Sequence, residues 1–284
     1  MKKSIGISRV LAVLLILILG LAACAPAPTS DGPQVLRVGV ECACAPFNWT
    51  QMDDSYGAMP LEDGTFAGGY DVEIAKLIAA HMGMDLEIVK IEWEGLIPAL
   101  TSGKIDAIIA DMTPTEERLQ TIDFSDIYYK SDLVIVVRTD SIYVDATSLA
   151  DFEGAKLTGQ LATLLYDVLD QIPGVDKQEA LADHPEMIMA TKAGRVDGYV
   201  CERPNAISAS KTNPELTYVT FTEENGFSYD GTDVSVAVGL QKGSTFTDAV
   251  NAALASISEE QRQRIMEQCI ENHLALVGSG GVAE

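Results

Sequence analysis

The chain is poor in basic residues, histidine and aromatic rings. Its 284 residues carry 19 Lys and Arg against 42 Asp and Glu, a formal net charge of −23, with three histidines and 6% aromatic residues. A surface that grips nucleic acid or anionic lipid needs clustered cations. This excess of acid therefore argues against both as partners of the folded body. Small anionic ligands stay open, because a few well-placed donors outweigh a distant field. Cysteine is too sparse for a disulfide scaffold: besides Cys24 there are only Cys42, Cys44, Cys201 and Cys269. Cys42 and Cys44 have no histidine near them in sequence, which makes a poor zinc site. Neither metal nor cofactor is expected, and the thiols are expected to be free or singly paired.

Long apolar runs are scarce as well. Residues 10–23 form one, preceded by Lys2, Lys3 and Arg9; it is too short and wrongly flanked for a spanning helix and reads as a secretory signal peptide, residues 1–23. Its end, Leu21-Ala22-Ala23-Cys24, resembles the bacterial lipobox, whose cysteine carries lipid after cleavage. Residues 24–34, rich in proline, then form a lipidated tether. The expectation is an extracytoplasmic protein anchored to the cell membrane through Cys24, with a disordered tail at 276–284.

Between these ends, short β-branched runs alternate with amphipathic stretches. Strands are expected at 35–41, 86–91 and 105–110, with helices at 70–82 and 95–101. After a strand at 133–138 the alternation resumes, with strands at 156–160, 196–201 and 235–240. Helices are expected at 163–171, 183–193, 204–210, 246–256 and 259–272. This order predicts an α/β protein with mostly parallel sheets and helices on both faces. In such sheets ligands gather beyond the carboxyl ends of the strands, here at 41–47, 110–118, 160–164 and 201–204. His81, His184 and His273 fall away from those ends.

The stretch Ile108-Ile-Ala-Asp-Met-Thr-Pro-Thr-Glu-Glu-Arg118 carries the strongest chemical signal. Thr113, Pro114 and Glu116 fit a capping box with Thr113 as N-cap. Arg118, one turn in, folds back toward the positive end of its helix. It is either a carboxylate receptor, together with backbone N–H groups and a threonine hydroxyl, or a solvated group paired with a neighbouring glutamate.

The stretches GYDVEIAKLIA (69–79), EWEGLIPALTSGKIDAIIADMTPTEERLQTIDFSDIYYKSDLVIVV (92–137), SLADFEGAKLTGQLATLL (148–165) and KAGRVDGYVCERPNA (192–206) resemble, in the same order, the polar amino-acid solute-binding proteins of bacterial ABC importers. The resemblance runs from about residue 36 to residue 272. It implies the type II periplasmic-binding-protein fold: two α/β lobes joined by two hinge strands, with a free amino acid in the cleft. Lobe 1 would comprise 35–136 and 236–275, lobe 2 residues 137–235, and the hinge strands would lie near 133–138 and 234–240. By that resemblance Arg118 and Thr113 hold the ligand α-carboxylate, the backbone after Asp111, at Met112, lies against the α-amino group, and Glu202 pairs with the α-ammonium. Trp93 packs on the ligand side chain and Phe47 lines the cleft or wedges its loop. For Glu202 a surface pair with Arg203, and for Trp93 a core position, stand beside these roles.

Some relatives that take basic amino acids carry an acidic residue where Glu41 stands. With Asp111 in the same lobe, two carboxylates would face a cationic side chain, and against a glutamate they would repel. This favours arginine, whose planar head stacks on Trp93, then lysine; glutamine or cystine is the alternative. The sequence departs from the family at Cys44, where many relatives have a second aromatic plate, and at Ala162-Thr163-Leu164, where they have a glycine and two hydroxyl residues. There the backbone at Thr163 and Leu164 would still offer N–H groups to the carboxylate. The partners implied are an amino acid and an importer permease, with the protein a monomer and not an enzyme; a dehydratase-like enzyme on the same fold is the rival class.

Overall fold

In the computed structural model, residues 34–228 and 234–282 are described. The signal peptide and the lipidated Cys24 expected from the sequence lie outside them. Two five-stranded mixed sheets organise the body. In the first, the strands run in the order Asp85–Lys90, Val35–Val40, Ala107–Ile108, Ser235–Leu240, Asp123–Lys130. The first three are parallel, and Ser235–Leu240 is antiparallel to both of its neighbours. The second sheet repeats that plan, in the order Asp176–Lys177, Lys156–Thr158, Gly198–Glu202, Leu133–Arg138, Leu216–Val219. Here Leu133–Arg138 is the strand antiparallel to both neighbours. The α/β class and the two-lobed architecture are as the sequence implied.

The helices cover both faces because the strands are apolar on both. Val134 to Val137 are all buried, with Ile135 and Val137 in one apolar cluster and Val134 and Val136 in the other. The helix Tyr70–Met82 buries Val72, Ile74, Ala75, Ile78 and Ala79 against the first sheet and stops at Gly83, whose φ of 65° suits a left-handed C-cap. Gly69, at its start, has φ 123°, and a Cβ there would lie 2.3 Å from the Phe47 carbonyl oxygen. That close approach lets the Phe47 carbonyl accept from Asp71 N at 2.8 Å.

Several boundaries differ from the sequence reading. The chain leaves the first sheet after Lys130 and enters the second at Leu133, so the crossing falls at Ser131-Asp132 and not at residue 136; all of Leu133–Arg138 pairs within the second sheet. The last helix continues to Ser279, with Leu276 buried, and Val282 bridges to Gln51. The tail expected to be disordered is therefore ordered through residue 282, because it has apolar and backbone partners in lobe 1. A small antiparallel sheet of Ala43–Cys44, Asn48–Gln51, Phe66–Gly68 and Met59–Pro60 went unseen in the sequence, its strands being too short for a period to show.

Candidate functional site

The two sheets point strand ends at a shared cleft. On the lobe 1 wall stand Glu41, Cys44, Trp93, Asp111, Thr113 and Arg118; on the lobe 2 wall stand Gln160, Thr163, Leu164, His184 and Glu202. The closed cavity between them measures about 20 Å³, little more than one water needs. Cross-lobe hydrogen bonds hold the walls together: Gln160 Nε2 donates to Glu41 Oε1 at 2.8 Å, and Asn205 Nδ2 donates to the Ala45 carbonyl at 3.2 Å. Arg118 Nη2 donates to the Ala162 carbonyl at 3.1 Å.

Of the sequence-derived site residues, Phe47 and Met112 do not line this cavity. Phe47 is fully buried edge-on to Tyr70 and Tyr129, and acts from behind by capping the helix that carries Asp71. Met112 points into the apolar cluster of Leu96, Ile108 and Ile122. His184, placed away from the strand ends by the sequence, lies in the wall, because its helix His184–Lys192 begins there.

Arg118 is held differently from the capping-box expectation. The short helix is Glu116–Leu119 with Thr115, not Thr113, as its N-cap; Thr115 Oγ1 accepts from Arg118 N at 3.3 Å. The pre-helical Thr113 carbonyl is left to accept from Arg118 Nη1 at 2.8 Å. The guanidinium carbon stands 5.1 Å from the Trp93 ring centre, within cation–π range. Burial pushes the Arg118 pKa down to about 10, against the pull of Glu117, Asp167 and Glu202, so it remains charged at neutral pH.

Asp111 turns the chain out of the strand Ala107–Ile108 with φ 54°, a left-handed conformation that Asp tolerates better than most side chains. Two residues unflagged by the sequence fix it. Tyr128 OH accepts from Asp111 N at 3.2 Å and donates to Asp71 Oδ1 at 2.7 Å, while Asn48 Nδ2 donates to Asp71 Oδ2 at 2.7 Å. Glu202 ends the strand Gly198–Glu202 and begins the helix Arg203–Thr212. It does not pair with its neighbour, since Arg203 reaches Asp132 at 2.6 Å. Among the described residues, the buried Asp111 Oδ1 and Glu202 Oε2 have no hydrogen-bond partner beyond the contact of the two carboxyls with each other.

The residues 36–272 match the family model described as bacterial extracellular solute-binding proteins, family 3. The chain belongs to that family. Among curated relatives it is 28% identical over 206 residues to the arginine-binding extracellular protein ArtP of Bacillus subtilis, covering 72% of this chain and 78% of that one. It is 31% identical over 198 residues to a probable histidine-binding protein of Campylobacter jejuni, covering 68% of this chain and 71% of the other. Among solved structures, an ancestral arginine-binding protein bound to arginine superposes with a TM-score of 0.67 at 31% identity, covering 82% of this chain and 97% of that one. The resemblance read from the sequence is thereby confirmed at the level of family and fold.

The cleft is acidic, with three carboxyls, Glu41, Asp111 and Glu202, lining it beside one guanidinium. Burial pushes Glu41 up to about 8, helped by the charge of Asp183 and opposed by the hydrogen bond from Gln160. Burial likewise raises Asp111, with the charges of Glu202 and Asp71 adding to it, and raises Glu202. Asp71, directly behind, is raised by the same burial. Carboxyls in so dry a place ionise only when a cation comes with them. Cys44 donates to Asp111 Oδ2 at 3.4 Å and accepts from Asn205 Nδ2 at 3.2 Å. Its thiol is pushed well above the usual range by burial and by the charge of Asp111, so it serves as a neutral wall. All four described cysteines are unpaired.

Proposed function

We propose that this protein is a lipid-anchored extracytoplasmic receptor that closes its lobes on a free amino acid with a cationic side chain, arginine before lysine, and delivers it to an ABC importer permease. The carrying observation is the charge balance of the cleft. Arg118 supplies a planar fork for the α-carboxylate, with Thr113 and the start of the helix Leu164–Asp167 beside it. Asp111 and Glu202, two buried carboxyls that meet each other and no other side-chain donor at Asp111 Oδ1 and Glu202 Oε2, suit the α-ammonium. That leaves Glu41 for a second cation, which arginine and lysine have and glutamine lacks. The relatives named for arginine support the reading.

Binding on these terms exchanges internal contacts for ligand contacts. The Ala162 carbonyl and Gln160 now occupy Arg118 and Glu41 across the cleft, and a ligand takes their place when the lobes open and reclose. Because the ligand touches both walls only in the closed form, it shifts the population toward closure. In a competition assay with labelled arginine, Glu41→Gln is expected to lower arginine affinity at least tenfold while leaving glutamine affinity equal or higher. An unchanged preference in that variant would remove Glu41 from the specificity argument. The anchor has its own check: Cys24→Ala is expected to release the protein from the membrane fraction, and retention there would contradict it.

A further inference from the structure

The two ends of the ligand cleft differ in what lies behind them. A wider cavity, about 670 Å³, runs between the lobes beside the cleft, and among the described residues only Glu41 and His184 border both spaces. Arg118, Thr113, Asp111 and Glu202, the groups assigned to the ligand's carboxylate and ammonium, line the cleft and not the wider cavity. The two spaces therefore meet at the side-chain end. What closes that end is one hydrogen bond between the lobes, from Gln160 Nε2 to Glu41 Oε1 at 2.8 Å. Gln160 Nε2 also donates to the Ala182 carbonyl at 3.1 Å, which holds it on lobe 2 when the bond to Glu41 parts.

Size and charge bear on what that end admits. The cleft's 20 Å³ holds about one water, far less than a basic side chain. Lobes reclosed on a ligand therefore stand farther apart, and the Glu41–Gln160 bond is the contact that yields at the side-chain end. Past Glu41 the wall carries two more carboxylates, Glu92 of lobe 1 and Asp183 of lobe 2. Two lysines border the same space: Lys192 Nζ is engaged by Asn213 Oδ1 at 2.7 Å and Glu215 Oε1 at 3.1 Å, and Lys90 is exposed at the end of the strand Asp85–Lys90. Burial lowers His184 to about 4, so its ring stays neutral beside a ligand cation. Rejecting a longer relative of arginine needs a wall for it to strike, and beyond Glu41 there is room instead.

We propose that the cleft is open-ended at its side-chain end and takes basic amino acids substituted on the distal nitrogen, N-alkylated arginines foremost, as well as arginine itself. The α-carboxylate and α-ammonium stay with Arg118 and with Asp111 and Glu202. The guanidinium, which keeps its charge when alkylated, stays against Glu41, and the substituent passes into the wider cavity, where Ile188 and Met189 offer apolar surface. This rests on the assignment of Glu41 to a ligand cation.

The test is calorimetric titration of the full chain with arginine, Nω-methylarginine, Nω-propylarginine and Nα-methylarginine. The two Nω-substituted ligands are expected to bind within threefold of arginine, and Nα-methylarginine at least tenfold more weakly, because the α-end is enclosed. Ile188→Trp, which fills the wider cavity from lobe 2, is expected to weaken Nω-propylarginine at least tenfold and arginine less than threefold. A fall of more than tenfold from arginine to Nω-propylarginine in the wild type would overturn the proposal while leaving the arginine reading intact. Equal weakening of both ligands by Ile188→Trp would also overturn it. Failure of arginine itself to bind would remove the reading of Glu41, and the proposal with it.

Discussion

Arg118 is the one cation in the wall of the ligand cleft among the described residues, and its removal is the most damaging change the site admits. Arg118→Ala is expected to weaken amino-acid binding a hundredfold or more, since a buried carboxylate loses a bidentate partner worth about 1.5–3 kcal/mol in charge-assisted bonds and keeps its desolvation cost. Titration calorimetry reads this directly; Arg118→Lys should recover only a small part, because a point charge does not reproduce the fork. Glu41 gives the pH dependence. Its carboxyl holds its proton to about pH 8 in the closed protein, against an ordinary 4.5. The closed form thus binds more protons than an opened one between those values, so ligand-free closure weakens as pH rises through that window. A ligand cation needs the carboxyl ionised, so arginine affinity should rise with pH up to about 8, by at most tenfold per unit for each proton released. Titrations in buffers of different ionisation enthalpy should show that proton leaving, and Glu41→Gln should flatten the slope. At this scale the sequence was informative where a motif named a residue, as at Arg118, Asp111 and Glu202. It was silent on Gln160 and Asn205, whose parts depend on the opposite lobe coming within hydrogen-bond reach, and it placed His184 away from the cleft that its helix start enters.

Elements position these groups through a layer behind the cleft. The strand Asp123–Lys130 brings Tyr128, and the helix Tyr70–Met82 brings Asp71, so that one hydroxyl links the buried carboxyl to the left-handed turn at Asp111. Tyr128→Phe leaves the packing and strips both bonds. It should cost about 1–3 kcal/mol of stability in denaturant melts and lower amino-acid affinity as well, because the Asp111 turn loses its tie. A loss of stability with affinity intact would place Tyr128 in the core alone. The helix Tyr70–Met82 and the strands Leu133–Arg138 and Ser235–Leu240 were legible to the residue, each having a clear apolar pattern and a glycine or charge to end it. Asp123–Lys130 was not: its Ser, Asp, Lys and paired tyrosines break the alternation, and it exists because Ser235–Leu240 pairs with it. The helix after Thr113 was displaced to Glu116–Leu119 because Arg118 draws the Thr113 carbonyl out of helical pairing.

Over the whole molecule, the two crossings between lobes set what the protein does. Ser131 N donates to the Val234 carbonyl at 2.9 Å, tying the outgoing and returning segments where the sheets meet. A further contact joins the lobes: the helix Glu259–Ser279 of lobe 1 packs on Arg203–Thr212 of lobe 2, with Ser208 Oγ and His273 Nδ1 2.8 Å apart. Opening must part that contact, so Ser208→Ala should shift the ligand-free protein toward the open form, seen as a larger radius of gyration in X-ray scattering that contracts on adding ligand. An unchanged radius would make the contact incidental to opening. Two lobes were readable from the β-α alternation because each carries its own parallel core. The site they form was readable only in halves.

The most direct measurement is calorimetric titration of the protein, refolded free of any carried-over amino acid, with arginine, lysine, glutamine and cystine at pH 8. The account predicts tight binding of arginine, weaker binding of lysine, and loss of both in Arg118→Ala. Tight binding of glutamine or cystine with none of arginine or lysine would contradict the assignment of Glu41 to a second ligand cation.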